Sequence, residues 1–120
     1  VTAWDDAGIT CRTISHLKPD NPLRNDTGLP AVAAVEYGGQ AAAVHGGLTG
    51  GRGNGLLVAV RDLTAAIDYL DQISGDLVIK VDCMGSSTQS SIYRFRIYVA
   101  DAADADIASG RITIARGGWP

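Results

Sequence analysis

Four polar side chains in this sequence could contact a ligand. His16 and His45 are the only histidines, and they fall in a loop and at the end of an apolar run. Arg94 and Arg96 alternate with apolar residues, so on a strand they share one face and could bind a carboxylate or a phosphate. The same arginine pair is also typical of a solvated sheet face that acids on a neighbouring strand balance.

Known catalytic patterns are missing from the sequence. It has no G-x-S-x-G turn, and neither Cys11 nor Cys83 lies beside a histidine. Glu36 is the only glutamate, so no pair of carboxylates with a raised pKa stands out. Asp101 and Asp104 lack the ligand spacing of a calcium loop. The sequence therefore predicts no catalytic residue, no metal site and no cofactor, and it favours a protein that is not an enzyme without deciding the question.

The two cysteines have two interpretations. Cys11 and Cys83 each lie on a predicted strand. They are either buried free thiols that act as small hydrophobes, or a disulfide that joins the two strands.

Composition and charge limit the class of protein. The chain has 120 residues, 46% of them hydrophobic but only 6% aromatic, which indicates one domain over residues 1–120 with a core of small side chains. The net charge of −3 argues against a nucleic-acid partner. No apolar run reaches the ~20 residues of a membrane span, so we expect no membrane partner. These features predict a soluble protein and leave its location open, with the virion and the cytoplasm as the two options.

The clearest structural pattern lies between residues 55 and 81. The apolar run 56–60 predicts a strand, and Asp62 is a suitable N-cap for a helix. Apolar residues at helical spacing then predict the main helix at about residues 63–74. Residues 77–84 alternate in polarity, which predicts a half-buried strand. Whether strands 56–60 and 77–83 pair in parallel or antiparallel fashion stays open.

Further strands are predicted on both sides of this unit. Residues 9–14, 91–100 and 111–116 have strand patterns, and 91–100 should form a hairpin with 77–84. The alanine-rich residues 31–45 predict a second hairpin, with its turn at Gly38-Gly39. The predicted fold is α+β and β-rich: an antiparallel or mixed sheet, sandwich or barrel-like, with one main helix packed on it.

Three irregular segments complete the chain: an extended arm (1–8), a long proline-rich loop (16–30) and a glycine-rich segment (46–55). Loops as long as 16–30 are usually functional or mobile, so we expect partner contacts there. Tryptophans near both termini are suitable interface anchors. The predicted interface residues are Trp4, Trp119, Pro19 and Pro22.

The sequence supports three hypotheses about function. The first is a structural or assembly protein that self-associates into a homo-oligomer or larger assembly, of the kind found as capsid cement, decoration or tail proteins. The alternative is a small α+β enzyme or ligand-binding domain. Its pocket would lie between helix 63–74 and the sheet or under the loop 16–30, and His16, His45, Arg94 and Arg96 would contact the ligand. The third, weaker hypothesis is an inhibitor module that presents the loop 16–30.

Overall fold

The computed structural model describes residues 1–48, 56–87 and 89–115. Within these residues there is one α-helix, α1 (Ala34–Leu48), and there are six strands. The strands are β1 (Ala3–Asp5), β2 (Gly8–Thr13), β3 (Leu56–Ala65), β4 (Leu77–Ser86), β5 (Ser90–Val99) and β6 (Asp106–Ala115). Short 3₁₀ turns occur at Ser15–Leu17, Ala31–Ala33 and Leu70–Gln72.

All six strands form one antiparallel sheet in the order β1-β2-β4-β5-β6-β3, and α1 packs on one face of it. The predicted class, a β-rich α+β fold with one main helix on an antiparallel sheet, is confirmed. The predicted hairpin of residues 77–84 and 91–100 is confirmed as β4 and β5. Strands β3 and β4 are not neighbours, because β5 and β6 lie between them.

The main helix lies elsewhere than predicted. Residues 34–48 form α1, where the sequence suggested a hairpin with a Gly38-Gly39 turn. Alanine is the strongest helix former, and each of the four glycines of α1 costs only about 1 kcal/mol inside a helix. Gly38 also brings α1 into close contact with the sheet, so tertiary packing offsets part of that cost.

Residues 63–74 are not a helix, although their apolar spacing suits one. β3 continues to Ala65 and pairs with β6 through two irregularities, one of them between Arg61 and Thr64. Asp62 has a φ of 55° at this irregularity, so it does not cap a helix. The only helical turn in the segment is the 3₁₀ turn at Leu70–Gln72. Hydrogen bonds to a distant strand therefore overrode the local pattern.

The core lies between α1 and the inner face of the sheet. α1 contributes small side chains at helical spacing, and the sheet contributes large ones. The ring of Phe95 is completely buried against Gly38, where an added Cβ would lie 2.8 Å from Phe95 Cγ. Gly39 faces open space. The helix can approach the sheet this closely only because position 38 has no side chain.

Cys11 and Cys83 are free thiols, each partly buried against the core. The disulfide interpretation is therefore wrong. The glycine-rich segment 46–55 begins inside α1, and its residues 49–55 lie outside the described residues.

Adjacent glycines of α1 provide a matched test of this packing. We expect Gly38→Ala to lower the free energy of unfolding by about 1–2 kcal/mol. The steric clash of the new methyl group with the Phe95 ring costs more than the higher helix propensity of alanine contributes. Gly39→Ala should raise it by up to about 1 kcal/mol. Urea unfolding of the two variants checks this. Equal effects would contradict the close-packing account.

Candidate active site

An apolar cavity of about 420 Å³ opens at the N-terminal end of α1, beside edge strand β3. Its lining residues are Leu23, Pro30, Val32, Ala33, Val35, Glu36, Val60 and Leu63. Four of the apolar members are exposed by 36–64% of their surface. Such a concentration of exposed apolar surface is typical of a ligand-binding or protein-binding region.

Among the described residues that line the cavity, Glu36 is the one that carries a charge. It lies in the first turn of α1 and is exposed. Gln40, one turn further along, donates a hydrogen bond of 3.5 Å to Glu36 Oε1. A carboxylate at a helix N-terminus beside an apolar cavity can serve as a general base towards a bound apolar substrate.

The loop 16–30 supplies two walls of the cavity, Leu23 and Pro30, and Asp71 anchors this loop. Asp71 Oδ1 accepts a hydrogen bond of 2.9 Å from the Leu29 amide, and Oδ2 lies 3.4 Å from the Arg24 guanidinium. The Leu29 hydrogen bond, with a smaller contribution from Arg24, holds the pKa of Asp71 below its usual value. Asp71 therefore fixes the loop mainly as a carboxylate.

Gly28 makes this anchor possible. Its φ of +137° suits glycine, and a Cβ there would lie 2.8 Å from both oxygens of Asp71. The loop is thus ordered around one carboxylate.

His16 is completely buried outside the cavity lining. Its Nε2 donates to the Ile73 carbonyl at 3.0 Å, because that carbonyl can only accept. Its Nδ1 is buried and has no partner among the described residues. His16 thus joins the start of the loop 16–30 to the segment that precedes β4.

His45 is also buried, on the face of α1 that packs against the sheet. Nε2 donates to the Asp5 carbonyl at 2.8 Å, so Nδ1 of a neutral ring accepts from the Tyr93 hydroxyl at 3.0 Å. The two rings meet edge to face at 5.5 Å. His45 thus ties the N-terminal arm to the centre of the sheet.

The residues predicted to contact a ligand do not converge. Both histidines are buried, and Arg94 and Arg96 lie on the outer face of β5, away from α1. Arg96 pairs with Asp106 at 2.8 Å. A pocket between a helix 63–74 and the sheet does not exist, since that helix is absent.

The predicted interface residues are mostly on the surface. Trp4 is 48% exposed on edge strand β1, and Pro19 and Pro22 are exposed in the loop. Trp119 lies outside the described residues. Their role in an interface stays a prediction.

A six-stranded antiparallel sheet curved around one central helix defines the hot-dog class of α+β proteins. The dehydratase heterocomplex ApeI:P from Xenorhabdus doucetiae contains a chain with this fold, at a TM-score of 0.76 and 18% identity over 95% of our chain and 78% of that one. A mutant thioesterase from Pseudomonas aeruginosa has a TM-score of 0.70 and 16% identity, over 94% of our chain and 76% of that one. An acyl-CoA hydrolase from Agrobacterium tumefaciens has a TM-score of 0.71 and 17% identity, over 98% of our chain and 46% of that one.

The family follows from the sequence itself. The model of the ApeP-like family, described as ApeP dehydratase, matches residues 1–117. The chain therefore belongs to the ApeP-like family. No curated protein matches the sequence significantly.

This family corrects the functional prediction. The prediction of a self-associating structural protein of a virion is wrong, because the chain belongs to a family that is described as a dehydratase family. The alternative, a small α+β enzyme, agrees better with the family. The expectation of protein partners is supported in part, since a similar chain comes from a heterocomplex. Within the described ranges, no helix has the length and apolar character needed to cross a membrane.

Sequence reasoning overlooked Glu36 because it searched for pairs of carboxylates. Two signals were available: Glu36 is the only glutamate, and Gln40 follows four residues later, at helical spacing. The second signal required that residues 34–48 be recognised as a helix.

The Asp71 anchor predicts a specific dependence of stability on pH. Folding lowers the pKa of Asp71, so its carboxylate stabilises the folded state at pH values above its unfolded pKa of about 3.9. This stabilisation is lost as the pH falls through the folded pKa. We expect Asp71→Asn to be less stable than the wild type at pH 7, with a difference that shrinks towards pH 2.5. Urea unfolding at both pH values measures this, with the exposed loop residue Asp20→Asn as control. A difference that is independent of pH would contradict the anchor.

Proposed function

We propose that this protein is a dehydratase subunit that removes water from a β-hydroxyacyl thioester, with Glu36 as the base. The observation that carries the proposal is the single carboxylate beside an apolar cavity at the N-terminus of α1. The family description supports the reaction, and the thioesterase and acyl-CoA hydrolase of the same fold support the substrate class.

The chemistry suits one carboxylate at this position. The thioester carbonyl acidifies the proton on the adjacent α-carbon, and Glu36 removes that proton. The electron pair forms the new carbon–carbon double bond as the β-hydroxyl group departs. A proton must reach that oxygen, so the products are water and an α,β-unsaturated thioester. The cavity would hold the acyl chain, since seven of its eight lining residues are apolar.

The proton donor for the departing hydroxyl is not provided by a histidine of this chain. The chain has two histidines, both buried and hydrogen-bonded to backbone carbonyls. The Tyr37 hydroxyl is also committed, because Ser15 and Asn21 lie 2.8 and 3.1 Å from it. We therefore propose that a second subunit supplies the acid and closes the cavity. The heterocomplex from Xenorhabdus supports such pairing.

The second subunit would join at β3. This strand has ten residues and, among the strands that the structure describes, pairs only with β6, so its other edge is proposed to receive another strand. Val60 and Leu63 belong to β3 and line the cavity, where each is about 40% exposed. A partner on this edge would cover the apolar surface and face Glu36.

Removal of the carboxylate tests the role of Glu36. We expect Glu36→Gln to lower the dehydration rate by about 10²–10⁴-fold, as for the loss of a general base. The assay follows the unsaturated thioester by mass spectrometry, with the chain alone and with an ApeI-type subunit added.

Glu36→Asp, which keeps the carboxylate, should retain more activity than Glu36→Gln, and Asp104→Asn controls for loss of an exposed charge. Full activity of Glu36→Gln in the active assembly would exclude this role. Release of free thiol without the unsaturated product would indicate thioester hydrolysis instead.

A charge on the apolar edge tests the assembly. We expect Leu63→Asp to shift the protein from an oligomer or heterocomplex towards a single chain, because the partner would have to bury the new carboxylate. Light scattering measures the mass. Ile14→Asp is the control, since Ile14 is 51% exposed at the far end of β2. Equal effects of the two substitutions would contradict association through β3.

A further inference from the structure

The outer face of the sheet, opposite α1, carries three arginines in one row. The strand registers pair Arg94 with Arg111 and Arg111 with Arg61, which places the three side by side on β5, β6 and β3. Residues opposite each other on neighbouring antiparallel strands have Cβ atoms about 4.5–5.5 Å apart and point to the same face. We call Arg61, Arg94 and Arg111 the arginine row.

Among the described residues, only one arginine of the row has an ion-pair partner within 4 Å. Arg111 Nε lies 3.6 Å from Asp62, with both side chains more than half exposed, so the attraction is weak. Arg61 and Arg94 are exposed and form no ion pair among the described residues. By contrast, Arg96 bonds Asp106 and the Ala103 carbonyl, both at 2.8 Å.

Like charges directly opposite each other on a sheet repel, so Arg111 between Arg94 and Arg61 is unfavourable, and Asp82 opposite Arg94 offsets part of that cost. Apolar side chains border the row on the same region of the sheet: Ile92 is 44% exposed and Met84 is 53% exposed. Arginine and methionine are among the residues enriched in protein interfaces. The row therefore combines charge and apolar surface as a protein-binding site does.

We propose that the arginine row is a docking surface for an acidic, partly apolar surface of another protein. Each guanidinium presents a planar fork that matches a carboxylate, and the row extends over three strands, or about 10 Å. Carboxylates on one strand or one helical face fit that length. The surface lies on the opposite side of the sheet from Glu36, so the proposal does not depend on dehydratase activity.

A phosphate polymer fits the surface less well. Asp82 is opposite Arg94 at one end of the row, and Asp62 follows Arg61 at the other, so the positive surface is limited to three strands. A few carboxylates on one protein surface fit within that length, whereas a continuous phosphate backbone would extend past both acids. The exposed Ile92 and Met84 would remain uncovered by phosphates, whereas an apolar protein surface would bury them.

Binding of a defined peptide tests this surface. The probe is a fluorescent helical peptide with glutamate and leucine on one face, measured by anisotropy against the same peptide with glutamine in place of glutamate. We expect the double variant Arg61→Gln/Arg94→Gln to weaken binding of the acidic peptide by about tenfold, and salt to weaken binding to the wild type. The matched control Arg12→Gln/Lys18→Gln removes the same charge elsewhere and should change binding by less than about twofold.

Thermal unfolding separates docking from folding. Arg94 is opposite Arg111 on one side and Asp82 on the other, so the repulsion and the attraction largely offset each other, and Arg94→Gln should change the melting temperature little while binding weakens. Equal losses of affinity for the acidic peptide in the two double variants would overturn the proposal. Tighter binding of oligothymidine or pyrophosphate than of the acidic peptide would also overturn it, in favour of a phosphate ligand.

Discussion

The contact of Gly38 with the ring of Phe95 sets the distance between the helix and the sheet, and the positions of the other parts follow from that distance. Phe95 is buried at the centre of β5, and α1 lies directly on it because position 38 carries no side chain. The other helix residues that face the sheet are mostly alanines, which permit the same close approach along the helix. With α1 held there, its first turn lies beside β3, and Glu36 reaches the cavity at the edge of the sheet.

The two faces of the sheet have separate roles. On the inner face, His45 is a buried hydrogen-bonding group that holds the N-terminal arm to Tyr93, and the described core residues of the sheet are all uncharged. On the outer face, charged side chains meet solvent, some in ion pairs and others in the arginine row. This division explains why the most conspicuous polar residues of the sequence, the histidines and Arg94, lie away from the candidate active site.

The cavity is assembled from segments that are distant in the sequence. The loop 16–30 supplies one wall and is fixed by Asp71, β3 supplies another, and α1 supplies the carboxylate. A single carboxylate in an apolar cavity can remove the α-proton, but the departing hydroxyl group also needs a proton donor, and no histidine of this chain provides one. The proposed reaction therefore requires a second subunit, which would complete the site at the open edge of β3.

The sequence alone determined the features that depend on local periodicity. Alternating polarity defined β4, β5 and their hairpin, since side chains of a half-buried strand alternate between core and solvent. It also predicted a β-rich fold, but the predicted core of small side chains holds only for α1, since the sheet contributes large residues such as Phe95 and Ile97. Tertiary structure decided the position of the helix: pairing with β6 extended β3 through residues 63–65, and packing on Phe95 made a helix of an alanine- and glycine-rich segment. It also decided the candidate site, because Glu36 lies in an apolar cavity only after folding brings Leu23 and Leu63 to it from distant segments.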